Sequence, residues 1–118
     1  MLYTCSALCE SEKMAKMKHY YIMHGYENDP VVPDKQDLSL YEKGVITDKG
    51  FAVNYEVKLR SQEAYDWMER VSREAIHEDV VLIGEEKGIG KNCRTMLAKM
   101  MTSMFGGKMN FRYIEELK

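Results

Sequence analysis

Residues 80–105 constrain this chain more than any other stretch. An apolar run, Val80-Val81-Leu82-Ile83, breaks at Gly84-Glu85-Glu86-Lys87-Gly88-Ile89-Gly90-Lys91-Asn92 and gives way to a methionine-rich pattern from Cys93 to Phe105. The run is short, continuous and β-branched, which suits a strand. The pattern after it repeats every three to four residues, which suits a helix. Cys93, Met96, Leu97, Met100 and Met104 fall along one stripe of that helix, and Gly106-Gly107 is placed to end it. A strand, a glycine-rich loop and a helix start together offer free backbone N–H groups and the positive end of a helix dipole, a common way to hold an anion. Lys87, Gly88, Gly90, Lys91 and Arg94 form the anion-binding set this predicts. The spacing departs from a phosphate-binding P-loop, because Asn92 follows Gly90-Lys91 where a magnesium-holding hydroxyl would be needed. Glu85 and Glu86 also oppose an anion.

The 118 residues suffice for one domain with a real core and are too few for two. Apolar residues make up 45% and charged residues 31%, the balance of a globular chain and not of a disordered one. A formal net charge of −2 gives no general attraction to nucleic acid or to an anionic membrane. No apolar run approaches membrane-spanning length, and three cysteines fit a reducing cytoplasm better than a disulfide framework. Ten methionines point to an adaptable interior.

Elsewhere, residues 6–16 read as a short helix and 19–23 as a strand, with 1–17 either an appended helix or disordered. Residues 25–43 carry both prolines and read as a long loop, with a turn of helix at 38–42. Val45-Ile46-Thr47, the turn Asp48-Lys49-Gly50 and the residues after Phe51 read as a hairpin. Phe51, Val53, Tyr55, Val57 and Leu59 alternate with Ala52, Asn54, Glu56, Lys58 and Arg60, which predicts a strand with one buried and one wet face. Ser61 reads as the N-cap of a helix whose buried stripe is Ala64, Trp67, Met68, Val71 and Ala75. Met109, Phe111 and Tyr113 predict a last strand. The expected architecture is a single α+β domain over 1–118. It would be a two-layer sandwich with a mainly antiparallel sheet and two helices on one face, ferredoxin-like in outline.

Four groups of residues bear on function. Besides the glycine loop there are Cys5, Cys9, His19 and His24, whose order resembles zinc-ligand order. Their intervening stretch is short, and Cys5 and Cys9 have an ordinary role in core packing, so no metal or other cofactor is expected. The methionine stripe reads as a core face, with Met101 at its edge. The wet strand face, Asn54, Glu56 and Lys58 with Arg112, together with Tyr26 and Tyr41 of the long loop, forms the expected partner-binding surface. No Gly-x-Ser-x-Gly, His-Glu-x-x-His or Cys-x-x-Cys occurs, so the sequence names no catalytic residue. The reading from sequence is a cytoplasmic, non-enzymatic interaction domain that binds a protein partner or a second copy of itself. The alternative is a small anion- or nucleotide-binding domain.

Overall fold

The computed structural model describes the chain apart from residues 24, 27, 28 and 86–89, and at residues 90 and 91 the backbone alone. Its sheet contains β1 (Leu2–Ser6), β2 (Lys18–Ile22), β3 (Val80–Gly84) and β4 (Tyr113–Glu116) in the order β2-β3-β1-β4. Every residue of β3 is buried, so a strand must flank each of its edges and a layer must cover each face. Val80 stands opposite Leu2 on one side and Lys18 on the other, while Gly84 stands opposite Ser6 and Ile22. β1 pairs in turn with β4, with a register shift between Leu2 and Tyr3.

All these pairings are parallel. The mainly antiparallel sheet and the ferredoxin-like outline expected from sequence are therefore wrong, and the error traces to residues 45–59. In place of a hairpin there is a helix, α2 (Asp48–Leu59). Thr47 is its N-cap and accepts a hydrogen bond from the Gly50 N–H, so the supposed turn residues are a helix start. Within the alternating set only Phe51, Tyr55 and Leu59 are buried, spaced by four, whereas Val53 and Val57 are exposed. A period of two contains every position of a period of four, and the helix uses only those.

Three further helices are α1 (Lys35–Glu42), α3 (Gln62–His77) and α4 (Gly90–Met101). Ser61 caps α3 by accepting from the Ala64 N–H, and the expected stripe from Ala64 to Ala75 is buried. A π-helical segment, Thr102–Gly106, and a last helical turn, Gly107–Met109, extend α4 past the glycines expected to stop it. The chain turns instead at Asn110, whose φ is 55°. Gly106 is required for closeness, because a Cβ there would meet the Phe111 carbonyl oxygen at 3.0 Å.

Strand alternation sorts the core into two layers. Leu2, Ile22, Val80 and Leu82 face the helices, where Tyr55, Trp67, Met68, Leu97 and Met101 fill one cluster. Cys5, Val81 and Ile83 face the other way, against Leu117, Met14 and Met17, with Met14 carried on a 3-10 turn at Glu12–Lys16. The segment expected to be a long loop holds α1 and is tethered to α2. Tyr55 donates to the buried Val31 carbonyl at 2.6 Å, and Lys58 bonds the Val32 carbonyl and the Asp34 carboxylate. The described residues form one compact α+β globule with a radius of gyration of 13.7 Å. No described helix is long and apolar enough to cross a membrane.

The helix at 48–59 makes a prediction of opposite sign to that of a strand. Replacing exposed Val53 and Val57 together by Ala should stabilise the protein by about 1 kcal/mol, because β-branched residues are poor helix formers. A lower urea midpoint for the double variant would contradict the helix, since a strand prefers Val to Ala.

Candidate functional site

Because the strands are parallel, their carboxyl ends gather on one edge, where open sheets of this kind place their ligands. Ser6, Gly84 and Glu116 end β1, β3 and β4 there. The Ala7 N–H bonds the Gly84 carbonyl at 2.8 Å and the Cys9 N–H bonds the Ser6 carbonyl at 3.0 Å, folding the chain after β1 over this edge. Between that fold and the end of β4 lies a crevice of about 480 Å³, lined in part by Ser6, Cys9, Glu10, Arg94, Glu116 and Lys118.

Arg94 is the organising residue of the crevice. It lies in the first turns of α4 beside Cys93, on the stripe that continues through Leu97, Ala98 and Met101, and it is only 1% exposed. Its Nε donates to Glu116 Oε1 at 2.7 Å and its Nη2 to Oε2 at 2.9 Å, a two-point grip on one carboxylate. Its Nη1 donates to the Glu85 carbonyl at 2.8 Å, which ties the end of β3 to the same group. Among the described residues, three of the five N–H donors of the guanidinium are matched in this way, and the residue itself lines the crevice.

The thiols differ in their surroundings. Cys5 is buried on β1, where its S–H contacts the Met14 sulfur at 3.1 Å; burial, followed by the neighbouring Cys9, pushes it up to about 12. Cys93 is also pushed up to about 12, by burial and then by the Glu85 carboxylate. Cys9 is partly buried and lines the crevice. Among the described residues, no group of three or more His, Cys, Asp or Glu side chains is placed to hold a metal ion. His19 donates from Nε2 to the Met14 carbonyl at 2.6 Å, while His24 lies outside the described residues.

The other residues named from sequence are spread over several elements. Asn54, Glu56 and Lys58 lie on α2, not on a sheet face. Asn54 is exposed, Glu56 pairs with Arg60 at 2.8 Å, and Lys58 is occupied by Val32 and Asp34. Arg112 is exposed just before β4. Tyr41 packs edge-on against Phe51 with ring centres 5.9 Å apart, and exposed Tyr26 stacks on Tyr21 at 5.1 Å. Of the anion set, Lys87 and Gly88 lie outside the described residues, Gly90 and Lys91 open α4, and Arg94 is at the crevice. Sequence reasoning missed Ser6, Glu10, Glu116 and Lys118. Only Arg94 carried a local signal, as a charged residue within the buried stripe of a helix. Glu116 reaches it through β4 pairing beside β1, which no local pattern encodes.

Alkylation can test these surroundings. At neutral pH a thiol held near 12 has roughly a thousandfold less thiolate than a free one. Native protein should therefore lose one thiol quickly to iodoacetamide, with peptide mapping placing the label on Cys9, and the other two only on unfolding. Fast labelling of Cys5 or Cys93 in the folded state would contradict the burial described.

Comparison with protein-family models, with curated proteins and with solved structures returned no significant match, so the functional reading rests on the geometry of the chain itself.

Proposed function

We propose that this domain binds a small anionic ligand, one bearing a carboxylate or phosphate group, in the crevice at the carboxyl edge of its sheet. The observation that supports this most directly is buried Arg94, which lines the crevice and is held by the Glu116 carboxylate and the Glu85 carbonyl through three of its five N–H donors among the described residues. A guanidinium already fixed by its neighbours gives up little freedom when it receives an oxyanion, and burial strengthens each hydrogen bond it makes. Ser6, whose hydroxyl accepts from the Leu8 N–H, and Cys9 line the same space. Glu116 balances the charge of Arg94, so the ligand is recognised by directed N–H donors more than by a net positive field.

The reading differs from the expected protein-binding sheet face because that platform depended on a strand at 51–59. It keeps one residue of the expected anion set, Arg94, and places it at a strand-end crevice.

A panel of inorganic phosphate, nucleoside monophosphates and short dicarboxylates should contain a compound that raises the melting temperature and slows Cys9 alkylation. At a hundred times its dissociation constant, a ligand stabilises by about 2.7 kcal/mol, roughly 10 °C for a domain of this size. Arg94→Lys keeps a cation beside Glu116 but loses the fork, so it should remain folded and bind that compound at least tenfold more weakly. No thermal shift and no protection of Cys9 across the panel would overturn the proposal.

A further inference from the structure

The methionine stripe of α4 is rotated relative to the core. Cys93, Leu97 and Met101 are buried, while Met96 and Met100 are half-buried and Met104 is 38% exposed. The π-helical segment contributes at the far end. With i→i+5 bonding, Phe105 returns over the core and packs edge-on against Tyr65 at 5.3 Å, and Met104 turns outward. Met96, Met100 and Met104, spaced by four, thus form a second stripe beside the core one. With Leu59 at the end of α2 and Tyr65 at the start of α3, they line a predominantly apolar groove of about 650 Å³.

Both charged residues among the described lining are cations, Arg60 and Lys99. Among the described residues Arg60 forms an exposed pair with Glu56 one turn back on α2, and Lys99 is exposed on α4. Methionine and tyrosine make an adaptable, strongly apolar contact surface, and both are enriched where proteins meet.

Going beyond the small-ligand reading, we infer that this groove docks an amphipathic helix of another protein, with apolar anchors facing the methionines and Asp or Glu flanking them. The walls are helices, so the groove offers no strand edge for an extended peptide to join, and a helix laid on its apolar face is the recognition mode that fits. The cationic rim selects acidic flanks, which would suppress basic helices with the same apolar face.

The test uses the full chain with its methionine methyl groups labelled with carbon-13. A phage-displayed library of 16-residue helical peptides, randomised in charge around apolar positions i, i+3, i+4 and i+7, is selected on the immobilised protein. Acidic peptides should be enriched. A synthetic copy should move the methyl resonances of Met96, Met100 and Met104 and leave those of buried Met68 and Met101 in place. Lys99→Glu and Met104→Glu each change an exposed residue and should weaken that peptide at least tenfold. Four results would overturn the inference: no enrichment, enrichment of basic peptides, groove methyls that move with protein concentration alone and so report a second copy, or groove methyls that respond to dodecanoate and not to the peptide.

Discussion

Residues 80–84 have no solvent-facing side chain, and much of the architecture follows from hiding them. Val80 and Leu82 need the helical layer, while Val81 and Ile83 need the layer built from Cys5, Met14, Met17 and Leu117. A strand so enclosed is also paired on both edges, by β1 and by β2, and both pairings are parallel. Parallel neighbours require crossover connections long enough to return the chain to the starting edge. The 3-10 turn, the run from α1 to α3, and α4 with its π-helical extension supply those returns, and each also contributes side chains to a layer. The common edge for strand ends, and hence the crevice, is a geometric result of burying β3.

Local order was legible where one period was available and tertiary pairing did not decide. Ser61 and the stripe from Ala64 to Ala75 identify α3 because apolar residues recur every three to four positions with polar ones between. The strand at β3 was legible from its unbroken apolar run. Residues 51–59 carry two patterns at once, because Phe51, Tyr55 and Leu59 satisfy a helical period while Val53 and Val57 complete an alternating one. The deciding fact is that Thr47 caps a helix there, and Thr-Asp-Lys-Gly suits a turn equally well. Residues 2–6 show no clean alternation, since Leu2, Thr4 and Cys5 are all buried, and their identity as β1 comes from lying between β3 and β4. Strand direction was illegible for the same reason. It is set by which helices return the chain, and one of those helices, α2, carries a hairpin-like pattern in its sequence.

Arg94 marks the limit of what sequence can give at the site. Its presence on a buried stripe signals a partner, but the partner lies 22 positions away on another element. Burying an arginine is unfavourable unless its N–H groups are matched, and a paired ion seldom stabilises more than well-packed apolar side chains of the same volume would. Stability alone therefore accounts poorly for an Arg–Glu fork at the end of a sheet. The proposed recognition role accounts for it better, because the fork holds the guanidinium rigidly at a strand-end crevice, where a side chain reaching in from solvent would be mobile.

α4 also relates the crevice to the groove. A helix that follows a central strand begins at the carboxyl edge and runs back across the sheet, so its first turns meet the crevice and its later ones do not. Arg94 occupies the early position. Leu97 and Met101 continue the same line into the core, and the next stripe around the helix, Met96, Met100 and Met104, faces the groove beside Tyr65. The methionine count that suggested an adaptable interior therefore divides between core and surface, as the π-helical segment illustrates by returning Phe105 to the core and leaving Met104 outside it. Such a segment is an unfavourable departure from regular helix and persists where the surrounding packing requires it. Here that packing is Phe105 against Tyr65 together with the close approach of Gly106 to the Phe111 backbone, so the exposed methionine edge is fixed by the same contacts that close the core.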